Sequence, residues 1–214
     1  MNELLAFGLM AFTSFLTLLN PFGTMPVFMA MTKELGAKER RRTATKAIFV
    51  AFITLMIFAF SGNILFDFFG ISVNSLRMVG GIIFFLMGMD MLQARLTKTK
   101  IDKSNVKEYV DDISVTPLGI PMICGPGAIT NAIVLMRDAS SYEMKITLIV
   151  SIMLVLFITL MILWSSSKVL KVLGETGNKV LLRLMGLIVM VIAVEFFFSG
   201  LTPVLRGIIA PEAY

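Results

Sequence analysis

Six stretches of the chain are apolar and long enough to cross a bilayer, and the polar residues gather between them. The first is also the strangest. From Leu4 to Thr32 there is no charged residue, and a straight helix of that length rises about 43 Å against a hydrocarbon core of roughly 30 Å. A break over Asn20 to Met25 absorbs the excess, leaving a long half-helix, an unwound turn and a short half-helix. Residues 36–46 read as a basic loop, and Ala47 to Phe66 as the second span. The third runs from about Leu76 to Arg95 and holds one acid, Asp90. Residues 97–112 are the longest polar stretch and read as a linker. The fourth span, Ile113 to Met136, contains Pro117, Pro121 and Pro126. The fifth covers Ile146 to Trp164, and the sixth runs from about Leu184 to Leu205 with Glu195 inside it. No basic n-region precedes the first span, which reads as a true span and not as a cleaved signal.

Two of these spans carry the same irregularity. Asn20-Pro21-Phe22-Gly23-Thr24-Met25-Pro26 and Pro121-Met122-Ile123-Cys124-Gly125-Pro126-Gly127 each hold a Pro-x4-Pro pair with glycine beside it. Proline lacks the backbone donor and clashes with the preceding turn, so each pair predicts an interrupted helix. Inside a bilayer, interrupted backbone is tolerated where it lines a cavity or is covered by protein. The plainer alternative is a pair of ordinary kinks, since proline and glycine are common in membrane helices.

The two halves of the chain match in order. Pro21 and Pro26 recur as Pro121 and Pro126, the Gly70 turn as Gly174, Arg77-x-x-Gly80 as Arg183-x-x-Gly186, and Asp90 as Glu195. Three spans per half make the second half enter from the opposite side. The expected fold is therefore an all-α integral membrane protein of six helices in two inverted three-helix repeats, with spans one and four discontinuous. Residues 1–96 form the first repeat, 97–112 a cytoplasmic linker and 113–214 the second repeat. Of the 19 lysines and arginines, all but Arg77, Arg137, Lys145 and Arg206 fall in the loops after spans one, three and five. The positive-inside rule then puts those loops in the cytoplasm and both termini outside it, in a multi-pass protein of the cell membrane.

Composition narrows the function classes. Hydrophobic residues make up 57% of the chain and charged residues 15%, too little polar surface for a soluble globule. The net charge of +5 belongs to the basic loops, so the partner is the lipid bilayer and no nucleic acid is expected. There is no histidine and only one cysteine, Cys124, which excludes an intrachain disulfide and a cysteine-based metal site. No catalytic constellation is visible, and neither an enzymatic activity nor a cofactor or metal is expected.

The breaks suggest binding chemistry instead. At each one a new helix begins near mid-membrane and presents unpaired N–H groups with the positive end of its dipole. One such end follows Gly23, where Thr24 is placed to cap. The other follows Gly125, with Thr130 and Asn131 about a turn inside. Converging helix N-termini suit a carboxylate, and the free carbonyls of the preceding half-helices suit an ammonium group. A small zwitterion satisfies both, held largely by main chain. The first break offers Asn20, Pro21, Phe22, Gly23, Thr24 and Met25 as candidate binding residues. The second offers Ile123, Cys124, Gly125, Gly127, Ala128, Thr130 and Asn131, with Cys124 as a small apolar wall.

Asn20-Pro21-Phe22-Gly23-Thr24-Met25-Pro26-Val27-Phe28 and the run from Thr116-Pro117-Leu118-Gly119 to Cys124-Gly125-Pro126-Gly127-Ala128-Ile129 resemble the two signatures of the MarC family of membrane proteins. The resemblance covers essentially the whole chain. It implies a transporter of small neutral amino acids, glycine and alanine, related to LysE-type exporters.

Asp90 and Glu195 are the only acids well inside the spans, and intramembrane acids are functional candidates by default. Glu195 lies about 18 Å along its helix from Arg183, near mid-depth, whereas Asp90 lies about 7 Å from Arg95 and near an interface. Either is a candidate for coupling to H+ or Na+; the alternative is that each holds neighbouring spans together. Ser14, Thr17, Ser61 and Asn63 read as interhelical hydrogen-bonding groups. The expected function is secondary transport of small neutral amino acids by alternating access, with a channel or exporter for another small solute as the alternative. A homo-oligomer is compatible with either.

Overall fold

The computed structural model describes residues 3–93 and 105–209, and every regular element among them is helical. Seven α-helices follow in chain order, with a broken helical segment, Ser114–Ile123, between the fifth and sixth: α1 (Glu3–Leu19), α2 (Pro21–Thr32), α3 (Ala37–Phe69), α4 (Val73–Leu92), α5 (Val106–Ile113), α6 (Pro126–Asp138) and α7 (Tyr142–Ile209). They make about six membrane spans. Glu3–Thr32, Ala37–Gly62, Val73–Leu92, Tyr142–Ser166 and Thr176–Ile209 are each long and apolar enough to cross a bilayer. The sixth is a bent unit, Val106–Ile123 followed by Pro126–Asp138 at 61°.

The surface confirms the solvent. Phe60, Ile64 and Phe68 of α3, Leu86 of α4 and Phe157 of α7 are exposed, as lipid-facing side chains must be. The inside is packed through small residues. Ala44, Ala47, Ala51, Leu55 and Ala59 give α3 a narrow buried stripe, spaced by three or four residues so that one face meets the fourth span. Along that face Gly62 meets Ile133 and Gly119 meets Val50 too closely to admit a Cβ.

The tightest seam joins α4 to the second span of α7. A Cβ on Gly81 would stand 2.7 Å from the Ala193 carbonyl oxygen, one on Gly88 2.8 Å from that of Gly186, and one on Gly200 2.5 Å from that of Asn74. Asn74, Gly81 and Gly88 thus meet Gly200, Ala193 and Gly186, so the helices run antiparallel. The contacts recur every seventh residue, the period of a continuous helix–helix seam, and small residues let the backbones touch.

The helix boundaries correct several expectations. The basic stretch 36–46 is not a loop: α3 begins at Ala37 and carries Lys38, Arg40, Arg41 and Arg42 on its first turns. The Arg40 guanidinium folds back and donates to the carbonyls of Thr32 and Leu35, closing the end of α2. The part of the 97–112 linker within the described residues is the start of α5, held to α3 by the Lys46–Asp111 ion pair; Arg95 and residues 97–104 lie outside them. Spans five and six follow with no long loop between them: α7 is two helices that meet at a kink at Gly174, where φ is 65° and ψ −175°, a conformation open to glycine at no steric cost.

Candidate functional site

The first break is a single residue, not an unwound turn from Asn20 to Met25. Asn20 alone leaves the helix, at φ 42° and ψ 66°, a left-handed conformation that asparagine tolerates better than most residues. Its Oδ1 accepts from the Gly23 N–H at 3.1 Å, and its carbonyl accepts from the N–H groups of Gly23 and Thr24. Pro21 then takes the first helical position, where its missing N–H costs nothing. The helix therefore begins before Gly23, not after it. Thr24 is no cap either: its hydroxyl turns back and donates to the carbonyls of Leu19 and Asn20. The carbonyls expected to be free at this break are thus partly satisfied within it. One is not served by the helix, because the Thr17 carbonyl would look to the N–H of residue 21, and that residue is proline.

The second break is longer. Thr116 and Ile120 are extended, as residues before proline tend to be, and the Thr116–Pro117 and Ile120–Pro121 peptides are cis. The Cys124 N–H returns to the Gly119 carbonyl at 2.8 Å. Gly125 then starts α6 in extended conformation with Pro126 at the first helical position. Glycine has no side chain to cap with, so the first turn of α6 keeps donors free of any side-chain cap. The two helix starts are unequal: α2 is closed by Asn20, and α6 is open.

Both breaks line one cavity, with about 130 Å³ of space, room for several waters. Asn20, Gly23 and Thr24 come from the first break, with Thr17 and Leu18 from the turn before it. Met122 and Gly127 come from the second. The remaining wall is Phe84, Met87 and Met91 on α4 and Val189, Ile192 and Phe196 on α7. No aspartate, glutamate, lysine or arginine lines it among the described residues. Phe84 and Phe196 meet edge to face at 6.4 Å between centroids, and the glycines of the second break exist to receive them. A Cβ on Gly125 would come within 2.3 Å of the Phe84 ring, and one on Gly127 within 2.1 Å of the Phe196 ring.

The other sequence candidates fall elsewhere. Pro21, Ile123, Cys124, Gly125 and Ala128 are buried behind the cavity without lining it. Met25 packs on the core, while Phe22 points outward, 66% exposed. Thr130 and Asn131 line a second chamber that adjoins the first. Asp90 is half-buried on α4 and Glu195 is exposed on α7, and neither lines either chamber. The walls from α4 and α7 were missing from the sequence reading. Phe84, Met87, Met91 and Val189, Ile192, Phe196 do repeat at helical spacing, but helices that are apolar all round hide that stripe among lipid-facing residues.

Comparison with known proteins places the chain. Residues 5–205 match the family described as MarC family integral membrane protein. The chain is 37% identical over 199 residues to a UPF0056 membrane protein of Methanocaldococcus jannaschii, covering 92% of this chain and 97% of the relative. It is 36% identical over 201 residues to one of Pyrococcus horikoshii, covering 94% and 97%, and 34% identical over 198 residues to one of Aquifex aeolicus, covering 92% of each. No solved structure matches it. On length, spans and both break motifs together, the chain belongs to the MarC family of integral membrane proteins.

Proposed function

We propose that the protein is a secondary transporter that moves small neutral amino acids, glycine and alanine foremost, across the cytoplasmic membrane by alternating access. The observation that carries this reading is the shared cavity of the two breaks: small, walled by apolar side chains, and free of charged ones among the described residues. A ligand held there has to be close to neutral overall. It meets donors at the uncapped start of α6, where Gly127 lines the cavity, and Thr17, whose carbonyl loses its helical partner at Pro21, lines the same space. A zwitterion of a few heavy atoms satisfies both, and the Asn20 amide faces the same space. The aromatic and methionine walls exclude long side chains. The donors for an anionic group therefore lie on α6 alone, since Asn20 already serves the start of α2.

The antiparallel α4–α7 seam supports the inverted repeat, because a two-fold axis in the membrane plane pairs equivalent helices in that way. On the positive-inside rule, the Lys- and Arg-rich start of α3 faces the cytoplasm. Coupling to H+ or Na+ through Asp90 or Glu195 gains no support from their positions outside the cavity.

The test is thermal stabilisation of the purified protein by a panel of amino acids, followed by counterflow in liposomes. Glycine and alanine stabilise it and leucine does not, and Gly127→Phe, which drives a ring into the space of Phe196, removes the effect. Stabilisation by leucine as strong as by glycine, or an unaffected Gly127→Phe, overturns the site. Flux without counterflow makes the protein a channel.

A further inference from the structure

Leu18, Gly127 and Phe196 are a shared wall, and on their far side lies the second chamber, of about 290 Å³. Its polar lining is unlike that of the first: Arg77, Thr130, Asn131 and Ser199. Arg77 sits in the second turn of α4, inside the span, half-buried against α7 where Gly200 leaves room for its stem. The ion pairs among the described residues are Lys46–Asp111 and Arg137–Asp138, so no carboxylate there neutralises Arg77. A guanidinium half-removed from water without a counter-ion attracts an anion, and its planar fork fits a carboxylate in two-point contact.

Thr130 gives an independent sign of a ligand. It is 3% exposed, and its hydroxyl has no hydrogen-bond partner. Buried threonines on these helices otherwise donate to the carbonyl four residues back, as Thr32 does to Phe28, Thr43 to Glu39 and Thr159 to Val155. Thr130 declines that bond on the wall of the chamber that holds Arg77, one turn from the uncapped start of α6. Asn131 beside it is fixed, its Nδ2 donating to the Ser14 hydroxyl at 3.0 Å, which leaves its Oδ1 as an acceptor. A buried hydroxyl left unpaired is destabilising and calls for an explanation, and a ligand oxygen supplies one.

We infer that this second chamber is a binding site for the carboxylate of a small solute, with the Arg77 guanidinium and the Thr130 hydroxyl as donors. That it is a station where substrate waits before passing Phe196 rests on the transport reading above; that it binds a carboxylate does not.

The experiment titrates acetate, which has the carboxylate and no amine, against the full chain in dodecyl maltoside without added phospholipid. Melting temperature is read with sodium chloride as control at equal ionic strength, in wild type, Arg77→Gln, Arg77→Lys and Thr130→Val. Acetate stabilises the wild type saturably and beyond chloride. Arg77→Gln raises the acetate midpoint at least tenfold, Thr130→Val raises it several-fold, and Arg77→Lys falls between wild type and Arg77→Gln. A merely structural role for either residue shifts the starting melting temperature and leaves the midpoint alone, which overturns the proposal. So does an equal response to chloride. Stabilisation by phosphatidylglycerol with none by acetate makes a lipid phosphate the occupant and also overturns it. Arg77-dependent acetate binding in a protein that binds neither glycine nor alanine upholds this chamber and overturns the amino-acid reading of the first.

Discussion

Asn20 does two things with one side chain. Its Oδ1 caps the Gly23 N–H, and its remaining amide group lies on the wall of the cavity. These separate by substitution. Asn20→Ala removes the cap and forces alanine into a left-handed conformation, so it costs about 1–2 kcal/mol of stability. Asn20→Gly keeps the conformation at no steric cost and loses only a few tenths. If the amide also serves the ligand, both variants lose glycine affinity equally while differing in melting temperature. Equal melting temperatures would refute the account of the left-handed backbone at this position. The sequence held both halves of this: asparagine before proline is a recognisable helix start, yet the expected start lay after Gly23 because Thr24 is also a good cap. What decides between them is the hydrogen bond from the Gly23 N–H to the Asn20 Oδ1, which depends on glycine at that point; a Cβ there would lie 2.4 Å from the Asn20 amide nitrogen.

At the scale of elements, the breaks were legible and their surroundings were not. Proline removes a donor wherever it stands, so the interruptions of spans one and four follow from Pro21, Pro121 and Pro126 alone. The α4 and α7 walls depend on which side of an apolar helix faces inward, and residue type does not record that in a lipid-facing helix. The glycines of the seam were equally silent, since glycine also marks loops; Gly174 does mark the joint between spans five and six, as a kink and not as a loop. The seam makes its own prediction. Gly88 has the backbone of Gly186 at 2.8 Å, so Gly88→Leu overpacks the contact and costs about 1–3 kcal/mol. Gly70 and Gly174 have nothing near their missing Cβ, and at those positions substitution strains φ without a clash. Thermal melts of the purified variants in one detergent check the order: Gly88→Leu melts below both Gly70→Ala and Gly174→Ala.

For the whole molecule the testable statement is its orientation. The expected topology gathers the Lys- and Arg-rich segments on the cytoplasmic side of an even number of spans; on it a C-terminal fluorescent reporter that matures only in the cytoplasm stays dark, and the same reporter inserted at residues 97–104 lights up. A bright C-terminus reverses the topology. Charge is what carries this expectation, because translocation itself reads charge; packing between helices leaves no such trace in the chain. The α4–α7 seam then has a mechanical consequence. Its teeth are glycines set against the facing backbone at three levels, like a rack engaged with its twin. A slip of one residue would press Met87 or Met89 against the Gly186 carbonyl in place of Gly88. Such a joint can roll but cannot slide, and it carries Phe84 and Phe196 together as parts of one beam. Any rocking that opens the cavity first to one side of the membrane and then to the other has to come from the broken helices tilting against that keel.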